Sequence, residues 1–224
     1  VGGNESRRET ERLTRTAGSR SSGMDTDADR NGGRRVSRLA EAATLSHISK
    51  SKRKNVHNNY VERGTDTAPK SIDARIKANI EAIETLKRLR TNGEEASAED
   101  MKKLRAFSGW GGLGKAFSDW STQRRLKELI GERQFEVDAQ LSRNSAYFTP
   151  AYVVDAMWDI ARALGFKGGR ILEGSAGVGN VLGLMPRDFS ERSSIHAVEK
   201  DTTTGGILSL LYPDADVDVK GFED

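Results

Sequence analysis

The stretch GRILEGSAGVGN, residues 169–180, constrains the fold of this chain more than any other. Ile171 and Leu172 run straight into an acid, Glu173, and then into a loop of small residues. That order is the signature of a short buried strand delivering a glycine loop. Downstream, the pattern continues as a short helix ending before Pro186, a strand SIHAVE at 194–199, a Thr/Gly-rich helical stretch to Leu211, and a strand DVDVKG near 216–221. Strands alternating with helices require right-handed crossovers, so the predicted class is α/β with a parallel sheet.

The segment before the glycine loop reads as a helix. In NSAYFTPAYVVDAMWDIARALGF, Thr149 is suited to the N-cap and Pro150 to the first helical position, with Val153, Val154, Met157, Ile160, Ala161 and Leu164 forming one apolar face. Gly165 supplies the stop, and Phe166 the apolar residue that commonly follows one. Residues 141–224 therefore form one predicted domain. Residues 69–140 read as a small helical cap in front of it. Ile72, Ile76, Ile80, Ile83 and Leu86 recur at helical spacing between a Ser71 cap and an Asn92-Gly93 stop. A second helix starts at Ser97 with Asp100 completing a capping box and Met101 and Leu104 inward. The stretch FSGWGGLGKAF, 107–117, is too rich in glycine for a helix; a structural turn is expected there that buries Trp110 against the sheet, with a base-stacking surface as the alternative. A third helix is predicted over TQRRLKELIGE.

Residues 1–68 have scarcely an apolar pair and are expected to be a disordered basic tail, because they cannot bury enough surface to offset chain entropy. Residues 1–70 carry 15 Lys and Arg against 9 Asp and Glu, whereas the remainder carries 21 against 24. The positive charge thus sits in the tail, where KSKRKN at 50–55 can grip phosphates without sequence preference or act as a solvated linker. No apolar run approaches the ~20 residues of a membrane-crossing helix, and the start lacks the apolar segment of a signal peptide. With no Cys, thiolate chemistry and Cys-based zinc sites are excluded, and His47, His57 and His196 leave little from which to build a metal centre.

A glycine loop alone selects no ligand. A dinucleotide would want Gly-x-Gly-x-x-Gly, but after Gly177 and Gly179 the third glycine position holds Leu182. Glu173 at the loop mouth would repel a pyrophosphate and attract a cation. S-adenosylmethionine carries an ammonium and a sulfonium and no phosphate, so the acid favours it. Glu199, at the end of the second strand, is placed to accept ribose hydroxyls, with Asp201 as the fallback; a nicotinamide cofactor would use the same acid. The N-terminus of the helix after YFTP would suit the cofactor's carboxylate, with Tyr147 or Phe148 walling the pocket.

Taken in order, YFTP, LEGSAGVGN and AVEKD resemble the cofactor-binding motifs of the adenine-N6 branch of amino-methylating DNA methyltransferases. FSGWGGLGKAF, ALGFKGGRILEGSAGVGN, LMP, LLYPDADV and GFED are similar to a narrower group, the very large methyltransferase-helicase polypeptides of phages and conjugative elements, associated with protecting DNA from restriction. The resemblance spans residues 71–224. It implies a partial Rossmann-like methyltransferase sheet and an S-adenosylmethionine site of Tyr147, Phe148, Thr149 and Pro150 near the methionine moiety and Glu173 beside its ammonium. Gly177 and Gly179, with Ser175, Ala176 and Asn180 of the same loop, would close on the cofactor; Glu199 would hold the ribose, and Glu223 or Asp224 would lie near the adenine. Gly174 stands where the family commonly has Pro, and Val181 where it often has an aromatic.

The resemblance further implies DNA and the remainder of a parent polypeptide, with its catalytic half and helicase domains, as partners, and a place in the bacterial cytoplasm or a phage particle. The family's Pro-Pro-aromatic catalytic element is absent, since Pro69, Pro150, Pro186 and Pro213 are all isolated. The chain is accordingly expected to be the cofactor-binding part of a longer methyltransferase, its first strand left with an unpaired edge. The alternative expectations are a methyltransferase-like scaffold retained for DNA contact and a nicotinamide-dependent oxidoreductase.

Overall fold

The structure, a computed structural model, describes residues 59–144 and 148–224. Residues 1–58, most of the expected tail, lie outside the described residues. Three short strands, β1 (Arg170–Glu173), β2 (Ser194–Val198) and β3 (Asp216–Asp218), form a parallel sheet in the order β1-β2-β3. Register pairs Leu172 with His196 and Ala197 with Val217. The α/β class with a parallel sheet is therefore as the strand-helix alternation requires.

The helical cap comprises α1 (Ile72–Asn92), α2 (Ala98–Arg105), a 3₁₀ turn (Gly114–Phe117), α3 (Trp120–Ile130) and α4 (Glu132–Asn144). Local signals set the first two. Ser71 Oγ accepts the Ala74 N–H, Gly93 takes the left-handed conformation with φ 64°, and Ser97 and Asp100 make a reciprocal capping box. On α1, Ile76, Ile83, Leu86 and Leu89 are buried, while the first isoleucine, Ile72, is exposed. Leu104 of α2 and Leu126 of α3 are fully buried with them, in one core that continues through Ala197, Ile207, Leu208 and Leu211 of the sheet domain.

The segment before β1 forms α5 (Ala151–Ala163). Its end follows expectation: Gly165 has φ 91°, Phe166 N–H reaches Ala161 O and Gly165 N–H reaches Arg162 O, the paired bonds of a Schellman stop. Its start does not. Pro150, with ψ 152°, occupies the N-cap position instead of the first helical one, and no side chain of the cap residue bonds the helix. Thr149 is exposed and caps nothing; the Ala151 N–H is accepted by Asp66 Oδ1 at 2.9 Å, from 85 residues upstream. Asp66 lies in a segment assigned by composition to the tail. That segment is tied to the domain by Asn59 N–H to Leu211 O and Val61 N–H to Gly183 O. Its order comes from these backbone pairings, which composition does not register.

The apolar face expected on α5 is only partly covered. Val154 is fully buried and packs with Ala151 and Leu184, and the Trp158 indole donates to Val181 O at 3.0 Å and meets Phe166 and Phe189. Met157, Ile160 and Leu164 are exposed instead, at 48%, 60% and 83%.

After β1 come α6 (Asn180–Gly183) and α7 (Arg187–Ser190), and α8 (Thr202–Leu211) links β2 to β3. Asp201 caps α8 by accepting the Thr204 N–H. Gly179, at φ 88°, admits no side chain, because a Cβ there would overlap the buried Tyr212 ring.

Candidate functional site

A cleft of about 460 Å³ opens at the C-terminal ends of all three strands. Gly174 and Ser175 follow β1, Glu199 and Lys200 follow β2, and Lys220 and Phe222 follow β3; all line it. Ligands of open parallel sheets bind at this end, because the connecting loops converge there. The cap closes the opposite wall with Gly109, Trp110, Gln134, Val137 and Asp138.

Two aromatic rings frame the glycine loop. Phe148 packs so closely on Gly177 that a Cβ at that glycine would sit 3.2 Å from its ring, and Phe222 stands in the same relation to Gly174 at 3.1 Å. Small residues at 174 and 177 let backbone and rings approach together. Position 174, where the resembling family commonly has Pro, is thus occupied by a glycine in contact with an aromatic wall.

The loop's own amides are directed inward. Ala176 N–H donates to Val198 O at 3.0 Å, Gly179 N–H to Ala176 O at 2.8 Å, and Gly177 N–H to Glu199 Oε2 at 2.8 Å. A pyrophosphate-binding loop would offer such donors to its ligand. Here three of them are spent within the protein. Carboxyl groups gather on the cleft's inner wall: Glu199, Asp201 and the buried Asp138. The cleft's two lysines are exposed and already engaged, Lys200 with Glu223 at 3.1 Å and Lys220 with Asp218 at 3.2 Å. This wall suits a cationic or hydroxyl-bearing ligand and opposes a phosphate.

Glu199 is the hub. Its Oε1 accepts the Asp201 N–H at 2.9 Å while Oε2 holds Gly177, so the carboxylate joins the β2 end to the glycine loop. Burial is the largest influence on it and raises its pKa against the opposing pull of those N–H donors. Asp138 is the more extreme case: burial, reinforced by the nearby Asp201 charge, pushes its carboxyl up to about 7.

Of the residues singled out in the sequence, Phe148, Ser175, Gly177, Glu199 and Glu223 come together in the cleft. Glu173 closes β1 but is not part of the cleft wall, where Glu199 and Asp201 are the acids placed to attract a cation. Ala176 and Gly179 are buried beneath the loop. Asn180 turns the other way and donates to Thr149 O at 3.2 Å, facing a small cavity lined by Asn59, Asp66 and Tyr212. Thr149 and Pro150 stay outside the cleft, and the α5 terminus assigned to a cofactor carboxylate is served by Asp66. Tyr147 lies outside the described residues.

The whole α4 contribution, Gln134, Val137 and Asp138, was not foreseen. Its one sequence signal was an i, i+4 pair of polar residues beside Phe135. Trp110 is buried at 4% exposure as expected of a structural turn, but its ring contacts are edge-on with Phe107 and Phe117 of its own stretch and not with a strand.

Among curated proteins the chain is similar to the Defense against restriction protein B of Escherichia phage P1, with 27% identity over 153 residues. The match covers 66% of this chain and 5% of that relative's length. No protein-family model matches the chain. No solved structure matches it.

Proposed function

We propose that this chain is the S-adenosylmethionine-binding part of a DNA adenine-N6 methyltransferase, belonging to a large phage or mobile-element polypeptide that protects DNA from restriction. The observation that carries the proposal is the acid-walled cleft at the C-terminal strand ends, whose glycine loop spends the amides of Ala176, Gly177 and Gly179 internally. Such a site disfavours a nicotinamide dinucleotide, which needs those amides for its pyrophosphate. The antirestriction context rests on the name of the phage relative, of which the chain spans 5%.

In this reading the sheet is the first part of a Rossmann-like methyltransferase sheet. Phe148 and Phe222 would wall the cofactor, Glu199 would accept ribose hydroxyls with its remaining lone pairs, and Glu223 would lie toward the adenine. The cofactor supplies an electrophilic methyl group. This chain's residues bind and orient it and keep phosphate-bearing nucleotides out; none of them is assigned a catalytic role, and DNA contact belongs to the longer polypeptide.

One observation favours the second reading, a methyltransferase-like scaffold. Both Glu199 oxygens already accept backbone N–H groups, so the residue has a structural role without any ligand. Calorimetric titration separates the two. The cofactor reading expects S-adenosylmethionine to bind and Glu199→Gln to weaken it by roughly tenfold, the loss of about 1.4 kcal/mol. No heat of binding with the folded protein, or tighter binding of NADH, would contradict it.

A further inference from the structure

A continuous chain of hydrogen bonds runs across the cleft from the helical cap to the glycine loop. Trp110 Nε1 donates to Asp138 Oδ2 at 3.1 Å. Gln134 Nε2 donates to Asp138 Oδ1 at 2.7 Å and also to Asp201 Oδ2 at 3.0 Å, while its Oε1 accepts the Thr202 hydroxyl at 3.3 Å. Asp201 N–H then donates to Glu199, and Glu199 accepts from Gly177. One amide group thus spans two carboxyls that belong to different parts of the fold.

The arrangement is costly if both carboxyls are ionised. Asp138 is 1% exposed, and its direct partners are the neutral Trp110 and Gln134. The turn at 107–113 brings Trp110 and no charged group to this wall. From the β2–α8 loop come Glu199, Lys200 and Asp201, and from beyond β3 come Lys220 and Glu223. Both lysines are held by other acids at the exposed rim. Among the described residues no cation contacts the Asp138–Asp201 pair, and a proton relieves the repulsion.

We infer that Gln134 is a positioning residue: by bridging Asp138 of the cap to Asp201 it holds α4 against the β2–α8 loop that carries Glu199, and the bridge is proton-dependent. With Asp138 protonated, the bridge joins one neutral and one charged carboxyl and the cap closes on the cleft. Ionisation of Asp138 places two negative charges about the same amide and loosens α4 from the β2–α8 loop, while Asp201 keeps its cap on α8 through Thr204. Consistent with this geometry, burial and the neighbouring Asp201 charge push the Asp138 carboxyl up to about 7. The consequence for ligand binding rests on the cofactor reading above; the bridge itself does not.

The test has two readouts on the intact chain. The first is the Trp110 indole N–H resonance followed from pH 5.5 to 8.5, assigned by its loss in Trp110→Phe. It is expected to titrate with a midpoint of about 7 in the wild type and to stay flat in Asp138→Asn. The second is S-adenosylmethionine affinity by calorimetry at the two ends of that range. Wild-type affinity is expected to fall about fivefold or more on going to the higher pH, Asp138→Asn to lose that dependence, and Gln134→Ala to bind about tenfold more weakly even at the lower pH, magnitudes typical of coupled sites. A Trp110 indole that does not titrate overturns the bridge, as does Gln134→Ala binding like the wild type while folded. If no variant binds the cofactor at any pH, the methyl-donor reading fails and the Trp110 titration alone decides the bridge.

Discussion

The two sides of the sheet domain are finished very differently. On the cap side, apolar positions of α1, α2 and α3 close into the same core as α8, and Leu104, Leu126, Ile207 and Leu208 are all fully buried. On the α5 side, Tyr152, Met157, Ile160 and Leu164 are exposed, as is Leu172 on β1, which stands at the sheet edge. The helices carry comparable apolar stripes. An amphipathic stripe therefore records what a helix can bury, and only tertiary contacts decide whether it does so. The functional corollary is that the cleft sits on the finished side, where its walls are held by a continuous core.

The largest test of this contrast is truncation in the core. Leu104, fully buried on the cap side, should cost about 2–5 kcal/mol as Leu104→Ala, against less than ~0.5 kcal/mol for Ile160→Ala on the uncovered face. Urea denaturation measures both. Equal losses would mean that the α5 face is covered after all.

Next in size is the pH dependence imposed by Asp138. Its folded pKa lies above the unfolded value of 3.8, so the folded state binds a proton that the unfolded chain has released. This group's contribution to stability is accordingly unpenalised below about 4, falls as pH rises toward about 7, and is then constant, a loss on the order of 4 kcal/mol at most. Thermal unfolding between pH 4 and 8 should show that decline in the wild type and a much shallower one in Asp138→Asn.

The smallest effect separates two left-handed glycines. Gly179→Ala drives a Cβ into the Tyr212 ring and should cost about 1–3 kcal/mol, whereas Gly165→Ala meets open space and should cost only the ~1 kcal/mol of its backbone conformation. Chemical denaturation of the two variants distinguishes them.

What was legible in the sequence follows the range of the interactions involved. Ser71, Gly93, the Ser97–Asp100 box and the Gly165–Phe166 stop act within a turn of their own helix, and each was readable. Asp66 capping α5 was not, because its partner is 85 residues away. Helix α4 escaped notice because its inward positions include Gln134 and Asp138, which mimic a solvated segment. Glu199, singled out for its place at a strand end, lines the cleft. Glu173 is not in the wall although it occupies the corresponding place on β1, and the acids placed there to attract a cation come from the β2–α8 loop, Glu199 and Asp201.

The central claim is that the acid-walled cleft accepts a sulfonium cofactor and rejects a phosphate-bearing one. A crystal grown with S-adenosylmethionine and NADH together tests it most directly. The expected result is S-adenosylmethionine in the cleft, between Phe148 and Phe222 and against Glu199. A diphosphate seated on the amides of Gly177 and its neighbours would contradict the account.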